Sequence, residues 1–486
     1  MIKTHTHRAA GLSTVAALLV AISCPAPAQP RPNIVVIVAD DLGWNAVGYH
    51  GGFVKTPHID RIAKQGVKLD RFYVSPMCSP TRVGLMTGRY AMRCGMARSV
   101  VRPWARYGLP PAERTLPEAL ADAGYAQRGA FGKWHLGHLQ PQWHPLAQGF
   151  TTFKGIYNGA ADYFTRVRDG ESDWHVDGEP LEEKGYTTDL IASAACDFIA
   201  RQARSGPFFC YVAFSAPHEP LQAPEEYVKR YADLDNRPND GKPSNRQVLA
   251  AMVASLDDGV GRILKSIEDA GAKDNTVVWF LSDNGGVRSI PGNNAPLRAG
   301  KLTVYEGGVR VPSAVWWPGV IEGGRKVDSP VMNIDLLPTL LALAGKAPGA
   351  PNDKPLDGVD VSGVLKGGAA QTAPRDLYFF HGQDGPETEH IAVTAPDGWK
   401  LVVQGPDVRR EGGFRTASHR VELFNVLQDP LEKADRAAEN PRIVQALGEK
   451  VVAFRRSEPA DPLSPPNRKP ADFRPPPKWR NTPATH

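Results

Sequence analysis

The chain has 486 residues, of which 42% are hydrophobic and 22% charged, a composition typical of globular rather than disordered proteins. Its formal net charge is +5 and it has no Lys- or Arg-rich helix, so the composition does not indicate a nucleic-acid partner. The length fits two to three average domains, or one large α/β domain with an appendage.

The N-terminal segment has the features of a secretory signal peptide. Lys3 and Arg8 precede an apolar run at residues 9–22, and Ala26-Pro27-Ala28 offers a small-x-small cleavage site. The run is too short for a stable membrane span, and the residues before Cys24 fit lipoprotein processing poorly. We therefore expect an exported protein, either periplasmic or secreted.

The remaining cysteines are too few for a disulfide scaffold in a chain of this size. They are Cys78, Cys94, Cys196 and Cys210. We expect Cys196 on a helix and Cys210 in a strand, both as small buried hydrophobic side chains. The sequence leaves disulfide pairing and oligomeric state open.

Strands and helices alternate along most of the chain. Apolar runs of strand length predict strands at residues 33–39, 67–74, 126–134, 207–215, 276–281 and 314–317. Helical spacing predicts helices that begin near residues 56 and 80, and others at 116–123, 190–199, 249–267 and 334–344. This order predicts the α/β class, with a large central mixed, mostly parallel sheet covered by helices on both faces.

The sequence changes character beyond about residue 368. Short strands are predicted at 377–380, 390–395, 399–403 and 421–424, with a helix at 442–454. These elements predict a small C-terminal antiparallel sheet with a helix. We therefore divide the chain into a signal peptide at 1–28, a large α/β domain at 29–370, a C-terminal α+β subdomain at 371–457, and a Pro-rich tail at 458–486, read as an extended or loosely packed wrap.

Polar clusters follow the predicted buried strands. They are Asp40-Asp41, Lys133 with His135, His218, and Asp283-Asn284. In open α/β sheets ligands bind at the carboxyl ends of the strands, so several clusters on this edge predict a site there.

The acidic clusters supply oxygen ligands from two strand ends. Asp40, Asp41, Asp283 and Asn284 would repel one another unless a cation lay among them, and oxygen-only ligands suit Ca²⁺ or Mg²⁺. Either pair alone fits helix N-capping equally well. Both pairs together favour a metal site.

Two lysines and two histidines indicate a functional site less strongly than the acidic clusters do. Lys133 and His135 lie two apart in a segment predicted to be extended, so their side chains face the same way. His218 lies between two prolines, which restrict the backbone and orient its ring. Lys301, taken alone, is indistinguishable from an ordinary surface lysine.

The stretch Cys78-Ser79-Pro80-Thr81-Arg82 follows a predicted strand and a turn. Pro80 suits a first helical turn, which places Cys78 near a helix N-terminus, where negative charge is favoured. Three interpretations of Cys78 fit this chemistry: a buried structural thiol, a thiolate nucleophile activated by the helix end and Arg82, or a residue modified after synthesis.

The pattern Cys-x-Pro-x-Arg followed by Thr-Gly-Arg resembles the motif of the type I sulfatases, with Thr81 where most members have Ser. Further segments carry the same resemblance in the family's order and spacing: residues 39–43, 132–137, 217–227, 282–286, 292–298, 305–310 and 422–430. The chain from Pro32 to about Leu343 thus resembles the sulfatases of the alkaline phosphatase superfamily, and within them is most similar to the arylsulfatase B (N-acetylgalactosamine-4-sulfatase) group.

The resemblance implies a modified residue and a metal. Cys78 would be oxidised to Cα-formylglycine by a maturase, and its hydrate would be the nucleophile. Ca²⁺, in preference to Mg²⁺, would be bound by Asp40, Asp41, Asp283 and Asn284, with the oxygen at position 78 as a further ligand.

The resemblance also implies roles for the basic residues. Arg82 and Lys133 would hold the hydrate, and Lys301 and His218 would contact the sulfate and the leaving oxygen, with His218 as a candidate general acid. His135 would accept a proton from the second hydroxyl after sulfuryl transfer.

These features predict a sulfatase that hydrolyses a sulfate ester of a small molecule or a saccharide. A phosphonate monoester or phosphodiester hydrolase of the same superfamily is the alternative enzyme. A non-catalytic carbohydrate-binding relative is disfavoured, because Cys78 and the aspartates are all present. Aromatic residues that could stack on sugar rings, although such residues more often lie in a core, are Trp104, Trp143, Tyr163 and Trp174.

Overall fold

The first apolar run forms the central strand of the sheet. In the computed structural model, Asn33–Ala39 is a strand, β1, in which every residue is buried. Val35 and Ile37 join the core on one face of the sheet, whereas Ile34 and Val36 join the core on the other. Burial on both faces is the reason for an uninterrupted apolar run in place of alternation.

The structure describes residues 1–3, 5, 31–234, 242–290, 293–347, 354–410, 414–463 and 468–479. The predicted signal peptide therefore lies, apart from residues 1–3 and 5, outside the described residues. Within the described ranges, no helix is both long and apolar enough to cross a membrane.

The strands that follow β1, in chain order, are β2 (Val67–Leu69), β3 (Phe72–Tyr73), β4 (Gln127–Lys133), β5 (Thr152–Ile156), β6 (Val167–Arg168), β7 (Glu171–Ser172), β8 (His175–Val176), β9 (Glu179–Pro180), β10 (Phe208–Ala213), β11 (Thr276–Ser282), β12 (Ser313–Trp316), β13 (Arg325–Val327), β14 (Val331–Met332), β15 (Leu377–His381), β16 (Glu389–Thr394), β17 (Trp399–Gly405) and β18 (Arg420–Asn425).

The α-helices, in chain order, are α1 (Pro57–Gln65), α2 (Cys78–Thr87), α3 (Leu116–Asp122), α4 (Thr187–Gln202), α5 (Glu225–Lys229), α6 (Asn245–Asp269), α7 (Glu306–Val309), α8 (Leu336–Leu343), α9 (Ser362–Lys366) and α10 (Pro441–Arg455).

One large mixed sheet organises the molecule. Its strand order is β13-β2-β12-β11-β1-β10-β4-β5-β8-β9. The five strands from β11 to β5 are parallel, while β12 and β8 flank them in antiparallel orientation. Because parallel strands end at the same edge, Ala39, Lys133, Ala213 and Ser282 lie at one edge of the sheet, where their following loops form the site.

Helices cover both faces of this sheet. Helices α1, α4 and α6 belong to the core on the face of Val35, and helices α2, α3 and α8 belong to the core on the opposite face. The predicted fold class is thereby confirmed.

The C-terminal strands form a separate antiparallel sheet, in the order β15-β16-β17-β18, with α10 packed on β16 and β17. Its apolar core is continuous with that of the large sheet, as the contact between the Tyr73 and Phe379 rings at 5.6 Å illustrates. The small sheet with a helix is confirmed. The boundary between residues 370 and 371 stays a prediction.

Several local predictions differ from the structure. The strand predicted at 67–74 is divided into β2 and β3 by a turn at Asp70-Arg71. Cys210 is buried in β10 as expected, but Cys196 on α4 is only half-buried, because α4 turns that position toward the surface.

The described part of the Pro-rich tail is anchored by one tryptophan, a contact that the sequence did not indicate. Trp479 is 1% exposed, and its Nε1 donates to the carbonyl of Arg168 at 3.2 Å. Its ring packs against that of His138, and the backbone N–H of Lys478 donates to the Glu171 carboxylate. The tail is therefore attached to the β6–β7 hairpin.

Candidate active site

Cys78 is the first residue of α2 and lies at the floor of a pocket of about 200 Å³. Its side chain is 2% exposed, and burial raises the pKa of the thiol above its usual value. The sulfur lies within 4.8 Å of carboxylate oxygens of Asp40 and Asp283. An unmodified Cys78 is therefore a neutral thiol beside hard oxygen ligands, which disfavours a thiolate nucleophile.

The hydroxyl groups beside Cys78 hold the surrounding loops. Ser79 Oγ donates to the carbonyl of His135 at 2.9 Å and accepts from the backbone N–H of Val101 at 3.0 Å. Thr81 Oγ1 donates to the carbonyl of Ser75 at 3.1 Å. The hydroxyl of Thr81 thus stabilises the turn before α2 through this hydrogen bond, and a serine hydroxyl could make the same bond.

Arg82 links α2 to two strands of the sheet. Its Nε and Nη2 donate to Oδ2 of Asp283 at 3.1 and 2.8 Å, and its Nη1 donates to the carbonyl of Lys133 at 2.9 Å. The guanidinium is 1% exposed, and although burial opposes its charge, Tyr211 and Asp283 raise its pKa further. Arg82 thus positions the start of α2 against the sheet edge.

Asp40 is fully buried between acidic and basic neighbours. Its Oδ2 accepts from Lys133 Nζ, and Arg82 Nη2 lies 3.9 Å from the same oxygen. Burial and repulsion from Asp283 raise the pKa of Asp40 to about 8. Its Oδ1 has no hydrogen-bond partner among the described residues.

Asp41 has φ of 65°, an uncommon conformation for a residue with a side chain. Its carboxylate accepts from Lys301 Nζ at 2.8 Å and from Asn284 Nδ2 at 2.6 Å, and His218 Nε2 lies 3.7 Å away. Burial opposes ionisation, but Lys301 and then His218 hold the pKa of Asp41 well below its usual range.

The structure qualifies the argument that the acidic residues repel one another, because basic side chains offset part of the repulsion while burial, Asp283 and Asp41 still raise the pKa of Asp40. Each aspartate has a basic partner: Asp40 pairs with Lys133, Asp41 with Lys301, and Asp283 with Arg82. Spacing in the sequence could not show this pairing, because the partners lie on other elements.

A different observation fits a metal. Asp40 Oδ1 and Asn284 Oδ1 are both buried, and neither has a hydrogen-bond partner in the described structure. Buried oxygens of this kind are normally satisfied. Hard oxygen donors are the ligands that Ca²⁺ and Mg²⁺ take, so the donor set fits such a cation.

His135 departs from the extended conformation predicted for residues 133–135, since its φ is 60°. Its Nε2 lies 3.0 Å from the carbonyl of Val101. A carbonyl can only accept, so Nε2 carries the proton and Nδ1 is the basic nitrogen. Nδ1 is buried without a hydrogen-bond partner among the described atoms, and burial, with Lys133 and Arg82 nearby, places the pKa of His135 well below its ordinary value.

One ring nitrogen of His218 is likewise held by a hydrogen bond within the protein. Its Nδ1 donates to the carbonyl of Glu219 at 2.6 Å, which leaves Nε2 toward Asp41 and the pocket. Burial and repulsion from Lys301 lower the pKa of His218 to about 3, so the ring is neutral in the substrate-free site.

All of the predicted site residues are thus brought to one edge of the sheet, and Cys78, His135, His218 and Lys301 line the pocket itself. Three polar side chains that also line the pocket were missed: Arg102, Arg168 and Gln383. They lie outside every recognisable motif, so no pattern in the sequence could have indicated them.

The aromatic candidates divide into two groups. Trp143, Tyr163 and Trp174 are buried in the protein core. Trp104 is half-buried and lines a cleft of about 500 Å³ together with the tail residue Phe473. Of the four aromatic side chains, Trp104 is the one placed where a ligand could reach it.

Comparison with known proteins agrees with these motifs. Residues 32–346 match the sulfatase family, and residues 300–456 match the family described as N-sulphoglucosamine sulphohydrolase, C-terminal. N-acetylgalactosamine-6-sulfatase of Homo sapiens is 36% identical over 446 residues, covering 83% of this chain and 81% of that protein. Arylsulfatase J of Mus musculus is 31% identical over 484 residues, covering 90% and 79% respectively.

Solved structures share the fold. Ps i-CgsB in complex with k-i-k-neocarrahexaose matches with a TM-score of 0.77 at 30% identity, covering 88% of this chain and 94% of that chain. The phosphonate monoester hydrolase of Agrobacterium radiobacter matches with a TM-score of 0.61 at 20% identity, covering 88% and 96%, a likeness of fold alone. The family match and the curated relatives together show that this chain belongs to the sulfatase family and is a sulfuric ester hydrolase.

Proposed function

We propose that this sulfatase hydrolyses a sulfate ester of a carbohydrate, releasing an alcohol and inorganic sulfate, in the pocket above Cys78. The observation that carries the proposal is the arrangement of Lys301, His218 and His135 around the pocket floor formed by Cys78. Support for a carbohydrate comes from the names of two relatives, a galactosamine sulfatase and a protein solved with a neocarrahexaose.

We further propose that Cys78 is converted to formylglycine by a maturase. The buried neutral thiol supports this, because it has neither a lowered pKa nor soft metal ligands around it. When present, the hydrated aldehyde supplies an oxygen nucleophile and a second hydroxyl group through which sulfate can be released.

The proposed metal is Ca²⁺, which Asp40, Asp41, Asp283 and Asn284 would hold. A site with this many protein donors, all of them buried, suits Ca²⁺ better than Mg²⁺, which usually keeps several waters. When bound, the ion neutralises negative charge on the sulfate oxygens and makes a nearby hydroxyl more acidic.

The chain's own residues have distinct proposed roles. Arg82 and Lys133 orient the group at position 78, since both are fixed by buried carboxylates. Lys301 is held beside the pocket by Asp41 and binds the sulfate. His135 accepts a proton at Nδ1, the nitrogen left free by its contact with Val101.

His218 is the proposed acid. Its Nδ1 is committed to the Glu219 carbonyl, so Nε2 is the nitrogen that faces the substrate. An anionic substrate favours the charged ring and thereby opposes the effect of burial, which otherwise keeps His218 neutral. The proton taken up at Nε2 then passes to the leaving oxygen.

We also propose export to the periplasm or the medium after removal of residues 1–28. N-terminal sequencing of the secreted protein tests this directly. A mature protein that retains Lys3 and Arg8 would contradict it.

The test of the function uses Cys78→Ala beside Cys94→Ala, a matched control. Cys94 is also buried but lies outside the pocket. We expect Cys78→Ala to abolish hydrolysis of an aryl sulfate with an unchanged circular dichroism spectrum, whereas Cys94→Ala keeps activity. Mass spectrometry of the tryptic peptide that contains residue 78 should show an aldehyde after co-expression with a maturase. Full activity with an intact thiol would contradict the mechanism.

Kinetic measurements on the same enzyme preparation distinguish a sulfatase from the alternative, a phosphonate monoester or phosphodiester hydrolase. Rates on paired aryl sulfate and aryl phosphonate monoester substrates should favour the sulfate. A higher kcat/KM on the phosphonate would support the alternative.

A further inference from the structure

The pocket above Cys78 contains two arginines that the proposed chemistry does not use. Arg102 follows Val100 and Val101, which also line the pocket, and is half-buried. Arg168 is the last residue of β6 and lines the same pocket. Both are therefore placed to contact a substrate bound over Cys78.

Arg102 differs from the other charged residues of this pocket. Lys301 pairs with Asp41, and Arg168 Nε donates to Asp169 at 3.1 Å. The side chain of Arg102 makes neither a hydrogen bond nor an ion pair with any residue that the structure describes, and its Nε is buried. A buried guanidinium N–H without a partner is costly unless a ligand supplies an acceptor.

Other features of the pocket agree with an absent anion. Burial lowers the pKa of the Arg102 guanidinium, and the charge of Arg168 adds to this. Two cations thus lie close enough to repel each other beside the nucleophile. Gln383, on the same pocket wall, has a buried Oε1 with no hydrogen-bond partner among the described atoms. An anionic group together with a hydroxyl donor would satisfy both side chains.

We infer that Arg102, supported by Arg168, binds a second anionic group of the substrate. The preferred substrate is then a saccharide that carries a carboxylate or another sulfate near the scissile sulfate ester. This inference rests on the proposed function, in which Lys301 and His218 serve the scissile sulfate. The planar guanidinium fork suits either anion, since both present two oxygens in one plane.

The experiment compares wild type with Arg102→Gln, Arg102→Lys and a control, Arg106→Gln. Arg106 is exposed and lines the neighbouring cleft but not this pocket. The substrates are an aryl sulfate, N-acetylgalactosamine monosulfate, the corresponding disulfate, and a monosulfated disaccharide with a uronic acid. The disulfate and the uronate separate the two sources of the second anion.

We expect Arg102→Gln to lower kcat/KM on at least one dianionic saccharide by about 10- to 100-fold, mainly through KM, as loss of a charge-assisted hydrogen bond implies. On the two monoanionic substrates the loss should stay within a factor of about three, the scale of a minor contact. Arg102→Lys should recover part of the lost affinity, and Arg106→Gln should match wild type.

An equal loss on every substrate would overturn the inference, because Arg102 would then serve the scissile sulfate or the fold. No loss on either dianionic saccharide would overturn it too. Failure of wild type to hydrolyse any of the four sulfate esters would instead contradict the proposed function. In that case calorimetric binding of the disulfate and the uronate to Cys78→Ala, with and without Arg102→Gln, decides whether Arg102 binds the second anion.

Discussion

The guanidinium of Arg82 donates two hydrogen bonds to a single oxygen of Asp283, at 3.1 and 2.8 Å. The two residues are separated by 201 positions, and neither side chain is more than 1% exposed. This contact joins α2, which begins at Cys78, to the end of β11.

Arg82→Ala should lower the free energy of unfolding by about 3–5 kcal/mol, because it leaves the Asp283 charge buried without a partner. Chemical denaturation measures the change. The control is Arg93→Ala, which removes a partly exposed pair with Asp357 and should cost about 1 kcal/mol or less. Equal losses of stability in the two variants would show that the buried pair stabilises the fold no more than the partly exposed pair does.

Ca²⁺ binding should depend on pH in a defined direction. In the metal-free site the pKa of Asp40 is raised to about 8, so Asp40 holds a proton below that pH, and a bound cation must displace it. The affinity for Ca²⁺ should therefore rise as pH increases toward 8 and then level off.

Calorimetry on Cys78→Ala in buffers of different ionisation enthalpy measures the released proton without relying on turnover. Asp257→Asn is the matched control, because Asp257 is another buried carboxyl with a raised pKa, about 7, outside this cluster. Binding that releases no proton well below pH 8 would show that Asp40 is ionised before the metal arrives.

His135→Ala should lower kcat by about 10²–10⁴-fold, the usual contribution of general acid–base catalysis. The protein should retain a sulfuryl group during turnover, which intact-mass spectrometry detects. Ser79→Ala is the variant to compare with it, because Ser79→Ala removes the hydrogen bond to the His135 carbonyl but keeps the imidazole. If the His135 variant never retains a sulfuryl group, the base that completes the cycle is another residue.

Trp479→Ala should release the tail from the β6–β7 hairpin. The variant loses the hydrogen bond to the Arg168 carbonyl and the ring contact with His138. We expect faster trypsin cleavage after Arg468, measured by limited proteolysis. An exposed residue, Phe164, supplies the control Phe164→Ala, which should cleave like wild type. Equal cleavage rates in both variants would mean that Trp479 does not hold the tail.

The sequence predicted the sheet well, because burial on both faces demands apolar runs such as that of β1, and the polar residues after such runs necessarily reach one edge. It could not predict which charges pair across that edge. Lys133, Lys301 and Arg82 come from three segments of the chain, and their pairing with the aspartates offsets part of the repulsion on which the metal argument rested.

Other parts of the site left no signal in the sequence. The position of the His135 ring depends on a residue distant in the sequence, since a Cβ at Gly159 would lie 2.4 Å from that ring. Arg102 lies in a loop without periodicity, and its position beside Cys78 follows from the path of the chain. The anchoring of Trp479 likewise joins residues more than 300 positions apart.

The proposed conversion of Cys78 to formylglycine would make timing part of this protein's biosynthesis. The maturase would need access to the thiol, yet the folded chain leaves Cys78 2% exposed. Asp283, the partner that fixes Arg82 beside it, is synthesised 201 residues after Arg82. At translation rates of about 5–20 residues per second, that interval lasts roughly 10–40 s. The active fraction of a preparation should then depend on whether the maturase reaches Cys78 before β11 is complete. Slower synthesis should therefore yield more active enzyme from the same quantity of folded protein.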